Sequence, residues 1–146
     1  MTAFADQPGS VLARGVCRML LAQGAAPLTE FAPASGMRLD VIALDASGAV
    51  IVVECKSCLA DFRSDAKWRG YLDWCDDFYF AVDAAFPLDA LPPEEGVVIA
   101  DGYGGAVLRS PAPRRLSPAR RKALSLRVAR TAAERLRRAL DPDAAI

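Results

Sequence analysis

Two apolar runs of strand length, Leu39–Leu44 and Val50–Lys56, flank the four residues Asp45-Ala46-Ser47-Gly48. That cluster consists of turn formers, and at this length it closes a tight β-hairpin. The hairpin sets Asp40 and Glu54 side by side on adjacent strands. Side chains alternate faces along a strand, so Glu54 and Lys56, two apart, point the same way. Two carboxylates and an ammonium therefore converge at the end of an apolar sheet. A hard divalent cation needs such oxygens, and the ammonium would stand beside a scissile phosphate. One strand-end charge alone is usually solvated or sits in a surface ion pair worth little. Val50-Ile51-Val52-Val53, however, is hydrophobic enough for a central strand, where an unpaired carboxylate is costly.

The elements around the hairpin follow from periodicity. Residues 9–24 carry Val11, Leu12, Val16, Met19 and Leu20 at helical spacing, with Ser10 as N-cap and Gly24 as stop. Leu28–Phe31 is a short strand after Pro27. From Leu59 to about Trp74 the pattern is helical, and Phe78-Tyr79-Phe80-Ala81-Val82 forms a strand from Asp77. Gly96–Ala100 and Ala106–Leu108 pair around Gly102-Tyr103-Gly104-Gly105, which lacks the spacing of a nucleotide loop and reads as a turn. Segment 114–140 is basic and amphipathic, with Ser117 capping a helix that has Pro118 at its first position and runs to about Leu140. The order is α-β-β-β-α-β, then a small hairpin and a long helix. No repeat or long linker divides it, so residues 1–146 read as one α/β domain.

At 146 residues and 53% hydrophobic, the chain can bury one sizeable core. Its longest apolar stretch, Val11–Leu28, is broken by Arg14, Arg18 and Gln23, so no membrane span is expected. The first ten positions carry Asp6 and no basic region of a signal peptide, which points to the cytoplasm. Histidine is absent, excluding histidine triads, dyads and metal sites. Cys55-Lys56-Ser57-Cys58 has no second C-x-x-C to complete a zinc site, and alternation turns Cys55 away from Glu54 into the apolar layer.

The zero net charge hides an asymmetry. Residues 1–108 hold 7 Lys+Arg against 15 Asp+Glu, and residues 109–146 hold 11 against 3. On a helical wheel from Ser117, Arg120, Arg127, Arg130, Arg135, Arg137 and Arg138 share a broad face. Leu126, Ala129, Ala133, Leu136 and Leu140 fall opposite, as the stripe that would dock on the body. Arginine's planar fork suits phosphate, so Arg120, Arg127 and Arg130 are candidate DNA contacts; an acidic protein surface, or the acidic body of a second copy, would also fit.

Asp40 followed by Glu54-Cys55-Lys56, on the second and third strands of this element order, resembles the PD-(D/E)xK phosphodiesterase superfamily. Over a longer span the chain resembles the bacterial MmcB-like DNA repair proteins within it. The strings that carry this are Arg38-Leu39-Asp40, Glu54-Cys55-Lys56, Asp61-Phe62, Asp65-Ala66-Lys67-Trp68, Tyr71-Leu72-Asp73-Trp74-Cys75-Asp76 and Leu116 to Leu124. The resemblance covers about residues 8–140 and implies a restriction-endonuclease-like core with an added β-hairpin and a long C-terminal helix. It implies Mg²⁺ or Mn²⁺ held by Asp40, Glu54 and the Cys55 backbone carbonyl. Lys56 would orient and help deprotonate the attacking water. Glu30 is either the additional acid that many members place before this hairpin or an exposed strand-end charge. Lys67 and Tyr71, four apart, resemble the Q-x-x-x-Y element of some superfamily nucleases, with lysine in place of glutamine, and would touch the DNA backbone or Lys56. The expected function is Mg²⁺-dependent phosphodiester hydrolysis on DNA during repair. The alternative is a catalytically silent nuclease-fold module that binds DNA or other repair proteins. A homodimer would supply substrate-specific elements that so small a chain has little room for.

Overall fold

A computed structural model of the chain describes residues 7–143, so Asp6, on which the signal-peptide expectation for the first ten positions rests, lies outside the described residues. Helix α1 (Pro8–Ala22) is followed by strands β1 (Ala26–Phe31), β2 (Leu39–Leu44) and β3 (Val50–Cys55). Two short helices, α2 (Leu59–Ser64) and α3 (Trp68–Tyr71), lead through a 3₁₀ turn to β4 (Asp77–Val82). Strands β5 (Gly96–Ala100) and β6 (Gly105–Arg109) then precede the 23-residue helix α4 (Pro118–Leu140). The strands form one open mixed sheet in the order β1-β2-β3-β4-β5-β6. β3, β4 and β5 run parallel, and the outer pairs are antiparallel. Among the described residues no helix is long and apolar enough to cross a membrane.

Local sequence chemistry sets most of these boundaries. The Asp45 carboxylate accepts hydrogen bonds from the amides of Ser47 and Ala49, and Gly48 takes φ +87°, so the β2–β3 hairpin closes where its turn residues stand. Ser117 caps α4 by accepting from the Arg120 amide at 3.2 Å. Helix α1 starts earlier than Ser10 suggests, because Pro8 occupies the first turn, where its missing N–H costs nothing, and Gln7 is the cap residue. It ends in a Schellman turn, with Gly24 at φ +83° and the Ala25 amide donating to the Leu20 carbonyl. Residues 114–117 of the basic segment lie outside helix α4.

The sheet is covered on both faces. Leu12, Val16, Met19 and Leu20 of α1 bury Val41, Ala43, Val53, Cys55, Ala81, Val98 and Ala100. The opposite face carries Ile42, Val52, Phe78, Phe80 and Val97, packed by Trp68, Tyr71, Leu124 and Val128. Trp68 stacks on Phe78 and meets Phe80 edge-on at 5.0 Å, which makes it a core residue.

Asp76 ties three segments together. Its carboxylate accepts from the amides of Val50 and Leu116 and from the Arg121 guanidinium at 2.5 Å. Burial pushes this carboxyl up, but the Arg121 bond and the two amides outweigh burial and hold it below its ordinary 3.8. Its stabilisation is therefore present above that value and fades as the pH falls through the lowered one. Asp76→Ala is expected to destabilise the fold by about 3 kcal/mol in urea unfolding, because two buried amides and a guanidinium lose their acceptor.

Candidate active site at the ends of strands β2 and β3

The β2–β3 ladder pairs Val41 with Val53 and goes no further toward the end where Asp40 and Glu54 stand. Side chains take over there. The Asp40 amide donates to Glu54 Oε1 at 2.9 Å, and the Cys55 amide donates to Asp40 Oδ2 at 2.8 Å. Each strand thus orients a carboxylate with a main-chain N–H in a reciprocal clasp. Glu54 is 3% exposed and Asp40 is half-buried.

Two neighbouring carboxylates, one buried and one half-buried, cannot both ionise easily. Burial first, and the charge of Asp40 second, push Glu54 up to about 9. Burial likewise raises Asp40, against the Cys55 hydrogen bond. Burial and mutual repulsion favour keeping a proton on such a pair at neutral pH.

Lys56 follows β3 directly and is 6% exposed. Its ammonium donates to Asp65 Oδ2 at 2.6 Å. Burial alone would push this ammonium down, but the bond to Asp65 and nearby carboxylates prevail and keep it protonated. A lysine held this way donates hydrogen bonds and stabilises negative charge.

Asp65 also corrects the single helix expected from Leu59 to Trp74. Its Oδ1 accepts from the amides of Lys67 and Trp68, at 2.7 and 3.2 Å, and its extended backbone separates α2 from α3. The break aims Asp65 at Lys56. Asp65→Asn is expected to lower the Lys56 ammonium pKa, read by nitrogen-detected NMR, and to cost about 3 kcal/mol of stability by leaving a buried lysine unpaired.

A cleft of about 700 Å³ gathers Asp40, Glu54, Lys56, Glu30, Lys67 and Tyr71, with Arg38, Asp61 and Asp65. Glu30 is exposed and adopts φ +51°, rare for a residue with a Cβ. The pairs Thr29–Val41 and Phe31–Leu39 bracket it opposite Asp40. Lys67, just before α3, is exposed, and Tyr71 within it is buried. Burial, then the charges of Glu54, Asp65 and Asp40, raise the Tyr71 hydroxyl, so it remains a donor. Arg38, Asp61 and Asp65 carried no separate weight in the sequence; an aspartate two and three residues before amides needing an acceptor was the available signal.

The three candidate DNA-contacting arginines are not in this cleft. Arg120 donates to the Asp73 carbonyl at 3.0 Å and lies over Trp74. Arg127 donates to the carbonyls of Ala32 and Pro33. Both are thus engaged with their own chain, and Arg130 is exposed. Nor does the expected apolar stripe dock: Leu124 and Val128 face the body, whereas Leu126, Leu136 and Leu140 are exposed. Arginine-to-carbonyl bonds, invisible on a helical wheel, turned the helix.

Among the described residues no three His, Cys, Asp or Glu side chains converge as metal ligands. Two carboxylates still fit Mg²⁺, which usually takes one or two and completes its shell with other oxygens and water. The thiols of Cys55 and Cys58 are free, one buried and one exposed.

The family model described as DNA repair protein MmcB-like matches residues 5–143. Among solved structures, the SPO1766 protein of unknown function from Silicibacter pomeroyi is 48% identical, with a TM-score of 0.93 and 96% of each chain covered. No curated protein matches the chain.

Proposed function

The chain belongs to the MmcB-like DNA repair protein family, and from that premise we propose that it is a cation-dependent DNA phosphodiesterase of restriction-endonuclease-like fold. The observation that carries this reading is the clasp that holds half-buried Asp40 and buried Glu54 together beside Lys56 in one cleft. Asp40, Glu54 and the Cys55 carbonyl would hold Mg²⁺ or Mn²⁺, and the bound cation would supply the positive charge that polarises the phosphodiester.

The chain's own residues do the rest. The Asp40 and Cys55 amides fix the two carboxylates in place before any ligand arrives, so no reorganisation is needed on binding. Lys56, kept protonated by Asp65, donates to the attacked phosphate or orients the water beside it. The Tyr71 hydroxyl is a second donor facing the same space. Lys67 and Arg38 line the cleft and offer positive charge to flanking phosphates, which position DNA without reading its sequence. Glu30 stands at the rim, where it would act as an outer acidic residue.

A second reading rests on the Lys56–Asp65 pair. A buried lysine already neutralised by an aspartate is also what a silent nuclease-fold module would keep, binding DNA or repair partners without cutting.

One assay separates the two. Purified protein is incubated with Mg²⁺ or Mn²⁺ and end-labelled single-stranded, nicked, branched and damaged DNA. Cleavage that disappears in Asp40→Asn supports the hydrolase. Intact DNA throughout, with binding unaffected by Glu54→Gln, assigns the chain to the silent class.

A further inference from the structure

Helix α4 has a second face that neither the core nor the cleft uses. Leu126, Ala129, Ala133, Leu136 and Leu140 alternate by three and four residues, the spacing of a coiled-coil seam. All five are exposed, with Leu126, Leu136 and Leu140 at 61, 60 and 66%. Exposed apolar rows of this kind are characteristic of interaction surfaces.

The helix is not loosely placed. Arg127 holds the Ala32 and Pro33 carbonyls, and Arg135 holds those of Thr29 and Glu30. Bolted along the opposite side, α4 presents the seam outward. Arg130 and Arg137 border the seam on one flank, with Ser125, Ala132 and Ala139 on the other, and Glu134 is the one acid between residues 118 and 140. Neither Arg130 nor Arg137 has an ion-pair partner among the described residues.

We propose that the outer face of α4 is a docking surface for an amphipathic helix of another protein, whose apolar heptad seam is bordered by acidic side chains. The charge of the border selects this occupant. Pairing α4 with α4 of a second copy apposes arginine with arginine when antiparallel, and with serine or alanine when parallel; neither is complementary. DNA is disfavoured because the leucines occupy the middle of the face, where a phosphate backbone offers them nothing apolar.

Two labelled synthetic helices test this on the full chain by fluorescence anisotropy. Both carry leucine at the seam positions; one has glutamate at the borders and the other lysine. The expected result is that the glutamate helix binds at least about tenfold more tightly, and that added salt narrows the gap. Leu126→Gln with Leu136→Gln should abolish binding while circular dichroism stays unchanged, since both positions are exposed. Arg130→Glu with Arg137→Glu should invert the preference toward the lysine helix. Equal affinity for the two helices, or binding untouched by the leucine substitutions, overturns the proposal. So does a wild-type dimer in sedimentation that the leucine substitutions dissolve, since the occupant is then a second copy. Duplex DNA displacing the glutamate helix from the seam overturns it in favour of a nucleic-acid face.

Discussion

Glu54→Gln should reduce Mg²⁺-dependent DNA cleavage by about three orders of magnitude, equivalent to about 4 kcal/mol of transition-state stabilisation. The substitution suits the site because the glutamine carbonyl can still accept from the Asp40 amide, the bond that Glu54 Oε1 accepts now. What it removes is the charge that would balance a divalent cation. Single-turnover cleavage is the measurement, with circular dichroism and a thermal melt as controls for folding. A variant that cuts as fast as wild type would place the chemistry elsewhere.

Cation affinity at the pair should also rise steeply with pH. The folded Glu54 carboxyl keeps its proton up to about 9, whereas an ordinary glutamate loses it near 4.5. Binding of Mn²⁺ must displace that proton, so affinity should tighten by roughly tenfold per pH unit up to that value. Calorimetry in two buffers of different ionisation enthalpy should find about one proton released per cation at neutral pH. Stability without metal runs the other way. The contribution of a raised carboxyl is fully present below the ordinary glutamate value and is lost as the pH climbs through about 9, so the metal-free protein weakens toward alkaline pH. Cation binding that ignores pH would remove the Asp40–Glu54 pair as its ligands.

Much of the site was legible because it is local. The turn at Asp45–Gly48 fixes the β2–β3 register, and register alone brings Asp40 opposite Glu54. Strand alternation likewise put Cys55 in the layer under α1. What escaped depends on polar partners that apolar periodicity does not reveal. The helix after β3 looked continuous because Leu59, Phe62, Ala66 and Arg69 keep helical spacing; its break requires an aspartate that finds both a buried lysine nine residues back and two amides ahead. The docked face of α4 was misjudged because guanidiniums of Arg127 and Arg135 reach carbonyls about a hundred residues away, while its richest apolar stripe points outward. Apolar periodicity predicts where a helix could be buried. It does not say against what.

The clasp between Asp40 and Glu54 changes what persistence of this motif can mean. Each carboxylate replaces a ladder bond at the point where β2 and β3 part, so replacing either with alanine leaves a main-chain N–H without its acceptor. The end of the sheet would fray whether or not any chemistry happened there. A protein of this fold that does not cut DNA would therefore still be penalised for losing these two acids. Architecture alone accounts for their presence as readily as chemistry would, and only substitutions that keep the acceptor while removing the charge can tell the two apart.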